Sequence, residues 1–400
     1  LQILIKKSTI PQKIESVLLY RIQKIFSYLS SMKILYIATE SSPGMLPFAV
    51  TVVNTIANTG LHDIHMIAVN TKKLSFRGRL DRRVQCTYIS ESTSLFGKTI
   101  DKLWFRKVIG SIKKEQKYFA PDVIHLLTAD FRLGIYVLFN PLHREKFCYT
   151  VHDLHPHETA YRSLKYLLIE KIMAFGCALN RKFIPNLTTC SQHQLEELKV
   201  LYPKKNIHFT HFPTLVTDKM TNGTKCAPEL ENTERYILFF GTINKYKGVD
   251  LLIESYSKSE VLKHFKLVIA GKDKTHIIPK DNNIICINRY IDDEEIKSLF
   301  EKAEIVVYPY RSATMSGVLS IALFFKKKVI LSDIPFFKEF ECKDTIYFKS
   351  HNTKDLQDIL EEAILKNEST PTECYENFYS PMVLKRDYES LYNSIIKTKK

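Results

Sequence analysis

Short apolar runs alternate with longer segments of helical periodicity along most of this chain, and no other feature constrains the fold as strongly. In the first half the apolar runs are 33–38, 64–69, 123–127, 147–151 and 187–190, and the helical segments are 47–59, 101–118, 161–179 and 192–200. This order predicts a parallel sheet covered by helices. The series stops at 216–234, where the missing apolar periodicity predicts a linker.

The alternation then resumes. Its apolar runs are 236–241, 266–271, 283–287, 305–308, 329–331 and 346–348, and its helical segments are 249–258, 292–303, 318–325, 353–365 and 382–397. We therefore expect two Rossmann-like α/β domains, 32–215 and 235–380, facing each other across a cleft, and a C-terminal helix at 381–400. Ligands of open α/β sheets bind beyond the carboxyl ends of the strands, so the loops after 236–241, 266–271 and 305–308 are the first candidates for a site.

Residues 1–31 form an extension ahead of Met32, where the first apolar run begins. Their apolar residues recur at helical spacing between basic ones, which is typical of an amphipathic surface helix. The stretch is equally consistent with sequence that lies upstream of a natural start at Met32.

The cysteines and the apolar runs indicate a cellular compartment. The chain has eight cysteines and no C-x-x-C pair, so we expect buried thiols in a reducing environment rather than a zinc site or a disulfide framework. The sequence shows no secretory segment and no run of about 20 apolar residues. A cytoplasmic location is therefore expected.

The positive charge of the chain lies in its first half. The formal net charge is +15; residues 1–215 carry 30 Lys and Arg against 15 Asp and Glu, whereas residues 216–400 carry 28 of each. The imbalance favours an anionic partner such as a membrane surface, a phosphorylated lipid or nucleic acid. Because the sequence has no nucleic-acid recognition motif, we expect peripheral association with an anionic membrane surface and no nucleic-acid partner.

The loop at 241–248 has residue types that suit phosphate. Gly241 ends an apolar run and permits close approach of a backbone, and Lys247 stands just ahead of a helix, where the dipole adds to its charge. Taken alone, the loop is also consistent with a basic surface turn.

The loop at 308–318 leads small hydroxyl residues and a glycine directly into a helix. Thr314, Ser316 and Gly317 precede Val318, and free N–H groups at such a helix start form an anion site. Taken alone, this loop is also consistent with ordinary capping by Ser316.

Together the two loops resemble the donor domain of glycosyltransferase family 4. The resemblance rests on YILFFGTINKYKGVDLLIESY at 236–256, LVIAGK at 267–272, and the run at 290–333 that contains YRSATMSGV. It is weaker over YTVHDLHPHE at 149–158 and TTCSQHQLEEL at 188–198. Enzymes of that family have the fold called GT-B, retain the anomeric configuration and need no metal, so the resemblance implies the same here.

The resemblance also implies roles for individual residues. Lys247 corresponds to the lysine that binds the donor diphosphate, the helix start at 316–318 to the site of the distal phosphate, and His152 to a histidine near the transferred sugar. Positions 289–291 fall where the nucleobase lies, largely against the backbone. The predicted donor-binding residues are Gly241, Lys247, Arg289, Tyr290, Ile291, Thr314, Ser316, Gly317 and Val318. The predicted catalytic residues are His152, Asp153 and Lys247.

The chain departs from the family pattern at several positions. Ala313 and Ile321 stand where the wider family has two glutamates. In that family the second glutamate, at the position of Ile321, usually holds the ribose hydroxyls. Thr242 and Asn244 stand where arginines are usual in the family. Three lysines at 326–328 replace its usual turn, which contains a small residue, a glycine and a proline. Contacts to the donor are therefore expected to be fewer than in the wider family.

A cluster of histidines and carboxylates lies at 152–158. His152, Asp153, His155, His157 and Glu158 follow an apolar run, which places them at the expected cleft, where the first two would orient a sugar or an acceptor. A polar structural loop and a metal site are the alternatives. The metal site is the weakest, because no helical H-x-x-x-H pattern is present, so no metal and no cofactor are expected.

These observations predict a retaining, metal-independent glycosyltransferase that moves a sugar from a nucleotide-sugar donor to a glycan or lipid-linked acceptor in surface polysaccharide synthesis. The alternative is a catalytically weak protein of the same fold that acts as a binding or scaffold partner. The replacements at 313 and 321 favour the alternative, whereas Lys247 and the Ser316-Gly317 pair favour the enzyme.

Overall fold

In the part of the chain that the structure describes, two parallel β-sheets, one of seven strands and one of six, organise the fold. The computed structural model describes residues 31–39, 44–70, 75–90, 106–128, 130–140, 143–155, 164–313, 316–343, 345–366 and 373–397. Within these ranges no helix combines the length and the apolar character needed to cross a membrane. The extension at 1–31 lies outside the described residues, apart from position 31.

The first sheet has the strand order β3-β2-β1-β4-β5-β6-β7. Its strands are β1 (Lys33–Ala38), β2 (Asp63–Asn70), β3 (Gln85–Ser90), β4 (Val123–Leu126), β5 (Phe147–Thr150), β6 (Asn186–Thr189) and β7 (Asn206–Phe209). The accompanying helices are α1 (Met45–Ala57), α2 (Arg106–Tyr118), α3 (Phe131–Phe139), α4 (Leu164–Phe183) and α5 (Gln192–Leu201). Strands β4, β5 and β6 are buried at every position, as expected when helices cover both faces of a parallel sheet.

The second sheet has the order β10-β9-β8-β11-β12-β13. Its strands are β8 (Tyr236–Phe240), β9 (Lys266–Ala270), β10 (Ile284–Ile287), β11 (Ala303–Tyr308), β12 (Lys328–Ser332) and β13 (Ile346–Phe348). The remaining helices are α6 (Asp218–Asn222), α7 (Val249–Ser257), α8 (Ile296–Glu301), α9 (Val318–Phe324), α10 (Pro335–Lys338), α11 (Thr353–Leu365), α12 (Cys374–Tyr379) and α13 (Pro381–Lys397). The strand order reverses between β8 and β11, so the loops after these two strands flank one crevice.

The predicted fold class is confirmed, but the sequence missed several elements. Strands β3 and β7 lie at the edges of the first sheet and are mostly half-buried, so they lack the apolar runs of the inner strands. Helices α3, α10 and α12 were also missed. The helix predicted at 292–303 is shorter: a 3-10 turn at Asp293–Glu295 leads into α8, and Ala303 already belongs to β11.

The segment predicted as a linker is more ordered than expected. It contains α6 and a 3-10 turn at Pro228–Leu230, and it buries Met220, Ala227 and Leu230. Lys225 pairs with Glu294 at 2.7 Å, which ties the segment to the second sheet's layer.

The C-terminal helix α13 packs against the first sheet. The hydroxyl of Tyr392 lies 2.9 Å from both the Tyr36 hydroxyl and Nδ1 of His125, and Glu389 pairs with His62 at 2.9 Å. The chain therefore begins and ends its described course on the same sheet.

The expectation that all cysteines are buried thiols was wrong. Cys342 and Cys374 form a disulfide, which joins the segment after α10 to the start of α12. Of the free cysteines, Cys226 and Cys286 are exposed. The spacing of 32 residues carries no local signal, because the pairing depends on the tertiary approach of two elements.

Candidate active site

The loop after β8 has a backbone that glycine alone fits well. Gly248 has φ +64 and joins the 3-10 turn at Lys245–Lys247 to the start of α7. A Cβ atom at this position would overlap the carbonyl oxygen of Pro309, which lies in the loop after β11. Glycine therefore lets the two loops approach each other directly.

Arg311 fastens the same two loops together. Its backbone N–H donates to the carbonyl of Tyr246 at 2.7 Å, and its guanidinium donates to the carbonyl of Lys245 at 3.0 Å. The guanidinium also holds both carboxylate oxygens of Asp250, at 2.7 and 2.6 Å. Burial raises the pKa of Asp250, but the hydrogen bond and charge of Arg311 outweigh it, so the net shift is downward.

Lys247 is a buried cation. Lys247 is only 7% exposed, and its Nζ lies 5.2 Å from the ring centre of Tyr310 and 6.0 Å from that of Tyr246. Among the described residues, no hydrogen-bond acceptor or carboxylate binds this Nζ. Burial lowers the pKa of the Lys247 ammonium, because an unpaired charge is costly away from water.

Three of the predicted residues converge beside this ammonium. A Cβ atom placed on Gly241 would lie 3.1 Å from Lys247 Nζ and 3.5 Å from Val318 Cγ1. Ser316 is linked to this group through Tyr310, because its Oγ is 3.3 Å from the Tyr310 hydroxyl and the Tyr310 ring centre lies 5.2 Å from Nζ. Val318 begins α9, whose leading N–H groups have no acceptor within the helix. Thr314 lies outside the described residues.

Gly317 has a structural reason of its own. A Cβ atom there would lie 2.8 Å from Phe212 Cε1 and would also meet Leu215, both in the segment that leaves the first sheet. The absence of a side chain at position 317 therefore allows Phe212 and Leu215 to pack against the start of α9. This packing role is separate from the predicted role in phosphate binding.

Ala313 and Ile321, which replace the two glutamates of the resembled family, are apolar residues that also lie in apolar surroundings. Ile321 is 2% exposed within the main hydrophobic cluster, and Ala313 packs against that cluster. Two of the three lysines at 326–328 bind backbone carbonyls: Lys327 donates to those of Glu301 and Ala303, and Lys328 to those of Ala363 and Lys366. Cations at helix ends of this kind stabilise the terminal carbonyls.

The segment at 289–291 follows β10 at the edge of the second sheet. The Arg289 guanidinium is held by Glu229 at 3.0 Å and by Glu295 at 2.7 Å, and these hydrogen bonds raise its pKa. Ile291 is buried, whereas Tyr290 is 68% exposed. The Arg289 side chain is thus already committed to two carboxylates, which leaves backbone groups and the Tyr290 ring for a ligand.

His152 lies at the carboxyl end of β5. Its Nε2 is 2.7 Å from the carbonyl of Leu127, which is an acceptor only, so this nitrogen carries the proton. Nδ1 is buried and has no hydrogen-bond partner in the described structure. Burial lowers the pKa of His152, so the ring is neutral and Nδ1 presents a lone pair.

Contacts from this loop reach the second half of the chain. The His152 ring stands edge-on to Phe48 at 4.7 Å, and Phe48 packs on Phe212, which borders Gly317. The Asp153 carboxylate is close enough to Tyr246 to contribute to its raised pKa, of which burial is the main cause. The catalytic candidates His152 and Asp153 therefore face the loops that carry Lys247.

Three further histidines have structural partners. His125 is fully buried between Tyr392 and Thr150, at 2.9 and 2.8 Å, as expected for a core residue. His211 binds Asp387 of α13 at 2.6 Å, and His155 binds Glu197 at 2.6 Å. His157 and Glu158 lie outside the described residues, and no group of three metal-ligating side chains occurs among those described.

Known proteins relate this geometry to a fold family. Residues 224–380 match the family model described as "Glycosyl transferases group 1". The chain is similar to the structure of Anabaena HepE in complex with UDP and glucose, with 13% sequence identity and a TM-score of 0.64. The similarity covers 91% of this chain and 100% of the HepE chain. The chain has the GT-B fold.

Other GT-B structures cover the chain to the same extent. Sucrose-phosphate synthase from Thermosynechococcus elongatus is 13% identical over 92% of this chain and 100% of its own, with a TM-score of 0.64. WaaG, a glycosyltransferase involved in lipopolysaccharide biosynthesis, is 13% identical over 91% and 99%, with a TM-score of 0.55. No curated protein sequence matches the chain. The family match over the second sheet supports the glycosyltransferase class, and the low identities show the fold alone.

Proposed function

We propose that the chain is a retaining, metal-independent glycosyltransferase that uses a nucleotide-sugar donor and a glycan or lipid-linked acceptor in surface polysaccharide synthesis. The observation that carries the proposal is the buried ammonium of Lys247, which has no anionic partner in the described structure. A buried cation without a partner is costly unless a ligand supplies the opposite charge. A nucleoside diphosphate supplies it.

The surroundings of Lys247 suit a departing diphosphate. Gly241 leaves space next to Nζ, and the start of α9 adds N–H groups on the other side of that space. Fixed charges and dipoles of this kind stabilise negative charge as it develops on a leaving group, each donor contributing about 3 kcal/mol by analogy with oxyanion holes. In this proposal they do the work that a metal ion does in other transferases.

His152 and Asp153 would act on the sugar side. The unpaired lone pair of His152 Nδ1 is a buried acceptor that a sugar hydroxyl can satisfy. Asp153 is exposed beside it and faces the loop of Lys247, where it would orient the sugar or the acceptor. Retention is taken from the resemblance to family 4.

Structural relatives make the donor class concrete. HepE was solved with UDP and glucose, and WaaG is described as acting in lipopolysaccharide biosynthesis. By analogy we propose a nucleoside-diphosphate sugar as the donor here, and a surface glycan or its lipid-linked precursor as the acceptor.

A panel experiment tests the activity. Purified protein is incubated with nucleoside-diphosphate sugars that vary in base and sugar, and release of nucleoside diphosphate is followed with and without excess EDTA. We expect release with at least one donor and the same rate with the chelator. Loss of activity that magnesium or manganese restores would contradict metal independence.

The alternative is a binding protein of the same fold with weak or no catalysis. It is favoured by Ile321, which is buried in the main hydrophobic cluster, and by Ala313, which packs against that cluster, because neither position supplies the glutamate that the resembled family uses there. Binding of a nucleoside diphosphate without turnover of any donor would select this alternative.

We also propose that the protein is cytoplasmic and docks peripherally on an anionic membrane through its first half. Helix α2 exposes four lysines, Lys107, Lys113, Lys114 and Lys117. The neighbouring helices expose large apolar side chains, namely Ile135 and Phe139 on α3 and Ile172 and Phe175 on α4. The Tyr136 hydroxyl of α3 donates to Gln116 of α2 at 3.0 Å, so the basic and apolar surfaces are adjacent, a combination that suits anionic lipid.

A further inference from the structure

A carboxylate of the second half binds the first turn of a helix in the first half. Glu339 directly follows α10; its Oε1 accepts from Ser191 Oγ at 2.7 Å and from the His193 N–H at 3.0 Å, and its Oε2 accepts from the Gln192 N–H at 2.8 Å. Ser191 is the N-cap of α5. The leading N–H groups of a helix lack internal acceptors and lie at the positive end of its dipole, so a carboxylate is a favourable partner there.

The same turn of α5 holds the loop that carries His152. Gln194 is 2% exposed; its Oε1 accepts from the Leu154 N–H at 2.7 Å, and its Nε2 donates to the carbonyl of His152 at 3.1 Å. One amide thus bonds the backbone on both sides of Asp153. Because a buried amide with both ends paired resists rotation, displacement of α5 carries the loop with it.

These contacts form a series from the second sheet's layer to the predicted sugar site. Glu339 binds the first turn of α5, Gln194 in that turn binds the loop, and the loop presents the unpaired Nδ1 of His152. We infer that Glu339 is a positioning residue that fixes the His152 loop through α5, so that the two halves must be closed for the histidine to take its place. The inference rests on the proposed role of His152 in sugar transfer.

A purely structural contact would behave differently. It would loosen the start of α5 when removed and leave the backbone at 152–154 unchanged, because nothing would be transmitted through Gln194. A positioning role requires that both segments respond to the loss of one distant carboxylate.

Hydrogen exchange of the full-length protein distinguishes the two. In Glu339→Ala we expect amide exchange about tenfold faster at 192–193, the change that corresponds to about 1.4 kcal/mol, and clearly faster exchange at Leu154 as well. Glu341→Ala, which removes an exposed carboxylate two residues away, should exchange as the parent does. Unchanged exchange at Leu154 in Glu339→Ala overturns the inference, as does unchanged exchange at 192–193.

Kinetics give a second readout that a structural role would not produce. If a donor is turned over, Glu339→Ala should lower kcat severalfold and leave the affinity for nucleoside diphosphate unchanged, and its effect should be less than additive with that of Gln194→Ala. Full additivity would contradict the series of contacts. If no donor is turned over, the proposed activity fails, and the exchange experiment still decides whether Glu339 holds the loop.

Discussion

Arg311 and Asp250 form a two-pronged ion pair, with N–O distances of 2.7 and 2.6 Å, that joins the loop after β11 to the first turn of α7. Arg311 also donates to the carbonyls of Lys245 and Tyr246, which belong to the same turn as Lys247. The arrangement places Lys247 by fixing the backbone on both sides of it.

The first consequence concerns the ammonium itself. Lys247→Met keeps the apolar stem and removes the buried charge, so we expect nucleoside-diphosphate binding weaker by about 1.5–3 kcal/mol, the range for hydrogen bonds to charged groups. The melting temperature should rise, because an unpaired buried charge is relieved. Calorimetry and thermal unfolding measure the two effects. Lys245→Met, on the exposed side of the same turn, is the matched control, and equal affinity of parent and Lys247→Met would exclude Lys247 from the site.

The ion pair provides the second prediction. Arg311→Lys should lower the free energy of unfolding by about 1 kcal/mol and weaken diphosphate binding, because an ammonium cannot reproduce the paired contact with Asp250 together with the bond to the Lys245 carbonyl. A double-mutant cycle of Arg311→Ala with Asp250→Ala should show strong coupling. Lys258→Ala, which breaks an exposed pair with Glu254, is expected to cost about 0.5 kcal/mol at most. Independent effects at positions 311 and 250 would refute the pairing.

Two glycines with the same backbone angle provide the third. Gly60 and Gly248 both have φ +64, but a Cβ atom on Gly60 meets nothing within 4 Å, whereas one on Gly248 overlaps the Pro309 carbonyl. Gly60→Ala should therefore cost about 1–2 kcal/mol of left-handed strain. Gly248→Ala should cost about 1–3 kcal/mol more from the overlap. Chemical denaturation of the two variants measures the difference, and equal costs would mean that the two loops are not in contact.

The fourth prediction concerns acid. Burial lowers the pKa of His125 to about 3, with a smaller effect of His152, whereas an unfolded histidine titrates near 6.5. Between these two pH values the unfolded state therefore binds more protons than the folded state does. The contribution of neutral His125 to the free energy of unfolding is complete above pH 6.5 and is lost as the pH falls toward 3. Between pH 7.5 and pH 5 this residue alone should cost about 2 kcal/mol.

The comparison of His125→Gln with the parent at the two pH values isolates that contribution. The variant should lose about 2 kcal/mol less on acidification than the parent does. His193→Gln, which removes an exposed histidine, should keep the parent's pH dependence. If all three proteins lose the same free energy of unfolding, His125 is not the group responsible.

The fifth prediction concerns the lysines of α2. Replacing Lys107, Lys113, Lys114 and Lys117 with Gln in the full-length protein should reduce sedimentation with anionic vesicles more than tenfold, since each basic residue near such a surface contributes about 1 kcal/mol. The same number of replacements in the second half, at Lys274, Lys280, Lys343 and Lys349, should have a small effect.

Salt and lipid composition complete the vesicle test. Binding of the parent should fall steeply with ionic strength, because the Debye length shrinks from about 10 Å at 0.1 M to about 3 Å at 1 M. Equal sedimentation with neutral and anionic vesicles, or none with either, would contradict docking by charge.

The parts of the fold that the sequence predicted are those that local pattern determines. Inner strands such as β5 and β11 are buried on both faces and so read as continuous apolar runs, whereas the edge strands β3 and β7 do not. In the site, Gly241 and Lys247 were predicted because a glycine that ends a strand and a lysine just ahead of a helix suit phosphate, and because their loop resembles that of glycosyltransferase family 4.

The remaining features depend on partners that are distant in sequence. Arg311 and Asp250 are 61 residues apart, and Glu339 is 148 residues from Ser191, so neither pairing leaves a periodic trace. The sequence predicted a phosphate-binding role for Gly317, but its neighbours Phe212 and Leu215 show that packing also requires a glycine there. The isoleucine at position 321 is visible in the sequence, whereas its burial in the main hydrophobic cluster is seen only in the structure.

The return of α13 to the first sheet determines how the two halves can move. The polypeptide passes between the sheets twice, once through 210–216 and once between α12 and α13, where Ser380 separates Tyr379 from Pro381. A body attached at two points turns about the line through them and has little freedom to twist or slide in other directions. Opening of the crevice is thus expected to follow a single arc, along which Glu339 leaves α5 and later returns to it.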